Sequence, residues 1–400
     1  MAWGIGANDV ANAMGTSVGS GSLTIRRAII IAGVFEFTGA FLAGGHVTDT
    51  VRKGILDTTE FAANPELLTY GMLAALASAA TLLLGATRLG LPVSTTHSIV
   101  GAIVGFGAVS LGADAVNWGK VAQIVASWLT SPLMGGTLAF GIFHLVQYTV
   151  LGRDDPMDAA KKAGPFFVFA VVFMIGLVTM FKGLKHVALD LDFVEALGWA
   201  AALGAVAALI ARFALVRIEP QPFEEGQSRF RDVERVFAVL VIMTASSVAF
   251  AHGSNDVANA IGPLATVVNN VQGVDLAGKA PVAPWMLMVG GIGIVIGLGT
   301  MGYRVIETIG KRITELTPSR AFAAELAAAT TIVLASRLGI PVSTTHILVG
   351  SVLGVGLARG IGALDGRVFG KILLSWIATL PISAGLSIFF YFFFKGLLSP

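Results

Sequence analysis

The sequence predicts an all-α polytopic membrane protein: two inverted-topology repeats with discontinuous helices and re-entrant hairpins, roughly 10–12 transmembrane segments in all. Three observations predict it. Of 400 residues, 55% are hydrophobic and 12% are charged, against about 25% charged in an ordinary soluble domain, and the mean hydropathy is +0.81. Apolar runs near spanning length recur from end to end. Several polar motifs occur twice, in the same order. Cysteine is absent, which excludes disulfides, thiolate metal sites and cysteine nucleophiles. The 49 glycines suit close helix packing and broken helices in a bilayer. The net charge of +2 is small, and loop charges rather than the total set the topology.

The repeat organises the chain. Gly6-Ala7-Asn8-Asp9-Val10-Ala11-Asn12-Ala13 returns as Gly253-Ser254-Asn255-Asp256-Val257-Ala258-Asn259-Ala260. Arg88-Leu89-Gly90-Leu91-Pro92-Val93-Ser94-Thr95-Thr96-His97 returns as Arg337-Leu338-Gly339-Ile340-Pro341-Val342-Ser343-Thr344-Thr345-His346. Ser127-Trp128 with Pro132 returns as Ser375-Trp376 with Pro381. Asp9 and Asp256 lie 247 positions apart, Ser94 and Ser343 249, Ser127 and Ser375 248. Such constancy indicates duplication. The division expected is a first repeat over 1–150, a linker with two transmembrane helices over 151–232, and a second repeat over 233–400.

The elements follow in order. The first motif occupies about 1–18, with only five residues before Gly6, whereas Val236 to Ala251 precedes Gly253; the sequence is expected to begin inside the first helix. A span at about 27–45, a loop at 46–65 and a span at 67–87 follow. Arg-Leu-Gly-Leu-Pro marks a break, and the pieces at about 98–112 and 119–131 are too short to cross, the second ending at Pro132 before 133–150. Two spans, about 165–181 and 195–216, link the halves. The second half repeats the pattern at 236–252, 285–302, 321–336, 347–358, 367–380 and 382–397, with an interfacial helix expected over 304–317.

Loop charge sets orientation. Arg153, Lys161, Lys162, Arg217, Arg229, Arg231 and Arg235 bracket the two linking spans and place that side in the cytoplasm. The loop at 271–284 has one lysine and reads as external, and the segment with Arg304, Lys311, Arg312 and Arg320 as internal. The loop at 46–66 is net acidic, with Asp49, Asp57, Glu60 and Glu66 against Arg52 and Lys53, and reads as external; Arg26 and Arg27 read as internal. Matching segments thus take opposite sides, the pattern of an inverted repeat.

A carboxylate at bilayer depth costs roughly 2.5–3.5 kcal/mol on insertion scales unless compensated. Asp9 and Asp256, with Asn8, Asn12, Asn255 and Asn259, offer hard oxygen ligands for sodium where a helix unwinds. For Asn12 and Asn259 an interhelical hydrogen bond is an equally open reading. Ser94-Thr95-Thr96 and Ser343-Thr344-Thr345 follow a proline break and open a helix, so they either cap free N–H groups or, at a positive helix end, bind a tetrahedral oxyanion. Duplication of both motifs favours the anion site. Two carboxylates repel an anion unless cations cancel them, which couples the two solutes. Glu36 lies inside a span and has glycines in the corresponding stretch of the second half; a cation or proton site and a structural pairing are both open. His97 and His346 could sense protons or touch the anion, but a hydrogen-bonded packing role is the commoner use; Arg88 and Arg337 could pair with lipid headgroups or anchor the breaks, with direct anion contact the lesser reading.

The paired Gly-X-Asn-Asp-Val-Ala-Asn-Ala and Pro-Val-Ser-Thr-Thr-His motifs resemble those of the inorganic phosphate transporter (PiT) family over nearly the whole chain. The resemblance implies an inverted repeat, sodium- or proton-driven phosphate symport, and a dimer in which a transport region moves against a scaffold. It matches Asn8, Asp9, Asn255, Asp256 and the two Ser-Thr-Thr runs to the family's substrate and cation region. The expected assignment is Asn8, Ser94, Thr95, Thr96, Asn255, Ser343, Thr344 and Thr345 at phosphate, and Asp9, Asn12, Asp256 and Asn259 at sodium. The short segment between the halves resembles microbial members, hence a prokaryotic inner (plasma) membrane. The expectation is a sodium-coupled phosphate symporter without an enzymatic activity, without a cofactor beyond the coupling ions, and without nucleic acid as a partner. Proton- or metal-coupled phosphate symport and sulfate transport are the near alternatives, and a passive anion channel a further one. An intramembrane aspartyl protease using Asp9 and Asp256 is the reading from another class, opposed by the near-identical setting of the two acids.

Overall fold

Two of the helix breaks are written into the chain by one device. In the computed structural model, the helix Pro65–Arg88 ends with Gly90 at φ 65°, and Gly90 N–H donates to Thr87 O while Leu91 N–H donates to Ala86 O. The helix Pro318–Arg337 ends with Gly339 at φ 67°, Gly339 N–H on Ser336 O and Ile340 N–H on Ala335 O. Both are Schellman ends, where a residue without Cβ takes the left-handed conformation. The proline two residues later cannot resume the helix, and Ser94 or Ser343 caps the next one.

The structure describes the chain except residues 46, 49–50, 52–53, 62–63, 183–190, 219–227, 229, 275–281, 307–315, 361–365 and 399–400, and except the side chains of 12, 58–59, 178, 181–182, 366–369 and 371–372. The helices are α1 (Ala2–Asn8), α2 (Val10–Gly19), α3 (Ile25–Ala43), α4 (Pro65–Arg88), α5 (Thr95–Ser110), α6 (Trp118–Val146), α7 (Pro156–Lys182), α8 (Phe193–Val216), α9 (Arg231–Val271), α10 (Pro284–Gly297), α11 (Pro318–Arg337), α12 (Thr344–Ala358) and α13 (Gly366–Leu398). Prolines open α4, α10 and α11, where a missing N–H is harmless. Thr24 caps α3, Asn117 caps α6, and Asp192 with Glu195 forms a capping box on α8. Seven of these helical stretches are long and apolar enough to cross a membrane, and α5 and α12 are shorter apolar helices. Among the described residues the sole β feature is an isolated bridge between Leu56 and Val116.

Pro132 and Pro381 do not divide their segments as the sequence suggests. Each sits inside one continuous helix, α6 and α13. A proline removes one backbone bond, and in a membrane protein packed neighbours tolerate that loss. The first acidic motif passes from α1 to α2 through Asp9, whose backbone is right-handed helical (φ −83°, ψ −27°) with its N–H on Ile5 O at 2.8 Å, and the second lies within the 41 residues of α9. The interfacial helix expected over 304–317 falls mostly outside the described residues, as do parts of the 46–66 and 271–284 loops.

Packing exchanges the halves. A Cβ on Gly6 would stand 1.8 Å from Ile294 O, and one on Gly253 2.2 Å from Glu36 O. The same crossing recurs between Gly350 on α12 and Pro132 on α6, and between Gly101 on α5 and Leu380 on α13. Each short helix behind a Ser-Thr-Thr run therefore lies on the long proline-bearing helix of the opposite half. The contacts also define equivalent positions: Gly6 matches Gly253, so Ile294 matches Glu36. The largest buried cluster joins both halves, with Ile5, Met14, Leu83, Val257, Ile294 and Ile347 among its members. The linking helices α7 and α8 pack on each other, and α7 meets the second half where Phe167 lies 5.2 Å from Phe322 and 6.2 Å from Phe237. Val194, Trp199, Val206, Ile210 and Phe213 leave α8 with an exposed apolar face suited to lipid.

Candidate functional site

The acids and the hydroxyls meet in the interior. Asp9 and Asp256 are 1% and 0% exposed, and atoms of Asp9, His252 and Asp256 all lie within 4.8 Å of one another. Two negative charges at that separation repel by about 3 kcal/mol at an effective dielectric of about 20. The N-termini of α5 and α12 arrive between them. Thr95 Oγ1 donates to Asp9 Oδ2 at 2.5 Å and stands 3.4 Å from Asp256 Oδ2. Thr345 Oγ1 donates to Asp9 Oδ1 at 2.7 Å, and Thr344 Oγ1 to Asp256 Oδ2 at 3.0 Å. Asn259 Nδ2 donates to Thr96 Oγ1 at 3.2 Å and lies 3.4 Å from Thr95 Oγ1. Residues far apart in sequence thus form one hydrogen-bonded cluster.

Other predicted residues serve the frame around it. Asn8 Nδ2 donates to Thr87 Oγ1 and to Leu91 O, both at 3.0 Å, and Asn8 Oδ1 accepts from Val93 N–H at 3.1 Å. Asn255 Nδ2 donates to Ser336 Oγ at 3.0 Å and Ile340 O at 3.4 Å. Each asparagine therefore ties its acidic motif to the break of its own half. Ser94 and Ser343 accept from His97 N–H and His346 N–H as N-caps. Thr96 Oγ1 donates to Val342 O at 2.9 Å, across the halves. The side chain of Asn12 lies outside the described residues. Helix starts with several N–H groups beyond those capped remain suited to an anion.

His97 and His346 are buried in an aromatic cluster. His97 stacks on Trp128 and its Nδ1 donates to Trp376 O, while His346 stacks on Trp376 and its Nδ1 donates to Trp128 O, both at 3.2 Å. A carbonyl can only accept, which assigns the proton to Nδ1 in both rings. Arg337 lies over the Phe193 ring at 4.9 Å and Arg88 is exposed, so both stand at the edge of the breaks.

Two buried residues escape sequence reasoning. His252 lies one turn before Asp256 on α9, with Nε2 3.0 Å from Asp256 Oδ2 and Nδ1 2.8 Å from Glu36 Oε2. This resolves Glu36 as one end of a buried chain of three polar residues. Glu325 on α11 is fully buried, with Oε1 accepting from Thr16 and Oε2 from Thr244, both at 2.6 Å. The signal available for both was a lone ionisable residue in an apolar helix. His252 was masked by its place beside the motif, and Glu325 by the alanines around it.

Comparison with known proteins agrees with this architecture. A solved structure described as the sodium-dependent phosphate transporter superposes with a TM-score of 0.91 at 40% identity, covering 99% of this chain and 96% of that one. A candidate phosphate permease of Haemophilus influenzae is 46% identical over 394 residues, 98% of this chain and 93% of its own length. The chloroplast inorganic phosphate transporter 2-1 of Arabidopsis thaliana is 42% identical over 426 residues, covering 100% of this chain and 71% of its own length. These are integral membrane transporters and not enzymes, which sets aside the aspartyl protease reading. The family model described as the phosphate transporter family matches residues 5–387, and this multi-pass membrane chain belongs to that family.

Proposed function

We propose that this chain is a secondary active transporter that carries inorganic phosphate together with sodium ions across the plasma membrane. Transport runs by alternating access, with a transport region moving against a dimeric scaffold. The observation that supports it is the convergence of two buried carboxylates on the starts of two helices, with three threonine hydroxyls donating to them. A hydroxyl has one proton to donate. While Thr95, Thr344 and Thr345 donate to Asp9 and Asp256, they cannot donate to phosphate. A sodium ion that takes the carboxylate and hydroxyl oxygens as ligands turns each O–H outward. The same ion cancels the carboxylate charge. Both effects create the phosphate site only when the cation is present, so coupling needs no further device.

Uptake of phosphate into proteoliposomes, with and without an inward sodium gradient, tests this reading. Sodium-driven accumulation above the external concentration is expected; uptake indifferent to sodium rejects the coupling ion, and failure to accumulate points to a passive channel. Proton coupling is the second reading, supported by the buried Glu36–His252–Asp256 chain; a pH gradient alone then drives uptake. Competition by sulfate separates the two anions.

A further inference from the structure

The acids are not equivalent, because one of them has an imidazole beside it. His252 is 1% exposed and carries a carboxylate on each side: Glu36 Oε2 at 2.8 Å from Nδ1 and Asp256 Oδ2 at 3.0 Å from Nε2. Asp9 completes the group, with ligand atoms within 4.8 Å of the other two. A carboxylate behind the imidazole, orienting the ring so that the far nitrogen faces other ligands, is the arrangement found around histidine-bound metals. Two more oxygens beside the group are fully buried and lack a hydrogen-bond partner: Asp256 Oδ1 and Asn259 Oδ1. The Asn259 amide lies against Thr95, whose hydroxyl stands between both acids. Unsatisfied buried acceptors beside carboxylates are the complement of a cation.

We propose that Asp9, His252 and Asp256 form a binding site for a divalent transition-metal cation of the zinc class, with Glu36 as the residue that positions His252. Sodium and magnesium favour oxygen donors, whereas imidazole nitrogen suits zinc, cobalt and copper. The site therefore accepts a class of ion that the symport reading does not use, and such an ion competes with sodium for the two acids. In the other copy of the motif the position matching His252 is Ile5 and that matching Glu36 is Ile294, both buried and apolar, so among the described residues neither offers a ligand there.

The inference rests on Asp9 and Asp256 being cation ligands, and its test is kept separate from transport. Cobalt chloride is titrated into purified protein in detergent, free of sodium and phosphate, and binding is read from the visible absorption of the bound ion. One high-affinity site per chain is expected. His252→Gln weakens it at least tenfold, Glu36→Gln weakens it about ten- to hundredfold, and added sodium chloride raises the apparent Kd where choline chloride does not. Cobalt binding equally tight in His252→Gln overturns the proposal; binding through His252 that sodium leaves undisturbed counts against sodium at the two acids, not against the metal site. X-ray absorption of zinc bound to the unaltered protein supplies a reading that no folding defect can blur. One imidazole nitrogen among oxygen ligands supports the site, and an oxygen-only shell overturns it. Uptake indifferent to sodium with cobalt bound through His252 rejects the symport reading and leaves the metal site standing.

Discussion

Asp9 and Asp256 stand in nearly the same octapeptide, yet their surroundings diverge. Asp9, where α1 passes into α2, accepts two threonine hydroxyls, from Thr95 and Thr345, one from each half. Asp256 lies within α9 and meets the Thr344 hydroxyl at 3.0 Å, the shared Thr95 hydroxyl at 3.4 Å, and one imidazole. The frames around them match much better. Asn8 and Asn255 both donate to a hydroxyl at the last turn of the preceding break and to the carbonyl before its proline. Duplication has thus preserved the scaffold that presents each acid, while a substitution one turn upstream, His252 against Ile5, changes the chemistry of one. Residues four apart share a helix face, so that single change reaches the carboxylate directly. It brings Glu36 with it, because a buried imidazole beside one acid leaves its other nitrogen to be satisfied.

The strongest way to break this comparison is to neutralise each acid in turn. Asp256→Asn is expected to lower sodium-driven phosphate uptake at least about 100-fold, since it removes one of the two carboxylates proposed to hold the cation, a loss of about 2.7 kcal/mol of cation binding. Folding and insertion, read by elution and thermal melting, should survive. Asp9→Asn should lose less, because it leaves the His252–Asp256 contact in place. Equal losses, or wild-type uptake in Asp256→Asn, would remove the asymmetry.

Next in size is the exchange of packing between halves. Gly6→Ala places a methyl against Ile294 O and should destabilise the protein by about 1–3 kcal/mol. Gly253→Ala, with a somewhat wider approach to Glu36 O, should melt closer to wild type. A reversed order of melting temperatures would contradict the matched crossing.

The hydroxyls give a smaller effect. Thr95→Val should reduce uptake about tenfold, equivalent to about 1.4 kcal/mol, because Thr95 stands between both acids and the Asn259 amide. Thr344→Val, which touches Asp256 alone, should lose only a few-fold, and Thr95→Ser should retain most activity. Initial rates over a sodium series separate these outcomes.

The smallest difference concerns the two asparagines. Asn8 makes three hydrogen bonds and Asn255 two, with Asn255 Oδ1 left without a partner. Asn8→Ala should therefore cost about 1 kcal/mol more stability than Asn255→Ala. Denaturation in a single detergent measures it, and equal stabilities would mean that the Val93 contact contributes nothing.

Much of the fold could be read in the chain. The helices, the Ser-Thr-Thr starts and the breaks before Pro92 and Pro341 depend on local spacing, and the structure places them there. Reading Pro132 and Pro381 as breaks failed because each was judged without its neighbour: helix α12 packs along α6, and α5 along α13, and continuous helices persist through both prolines. The candidate site was legible as a set of residue types, with Thr95, Thr344, Thr345, Asp9, Asp256 and Asn259 brought together as their polarity suggested. His252 and Glu325 were not legible as participants, since nothing in their own neighbourhoods shows which distant group meets them.

By itself the sequence determined a duplicated membrane chain with an acid, a break and a hydroxyl-capped helix in each half. Those features follow from hydropathy, glycine and proline, and capping, all of which act within a few residues. Only the tertiary structure decided that Thr345 serves Asp9, that Glu36 reaches His252 and that Glu325 meets Thr16 and Thr244. Those pairings join positions 81 to 336 residues apart, and a buried polar group takes whichever donor or acceptor the packing of whole helices delivers to it.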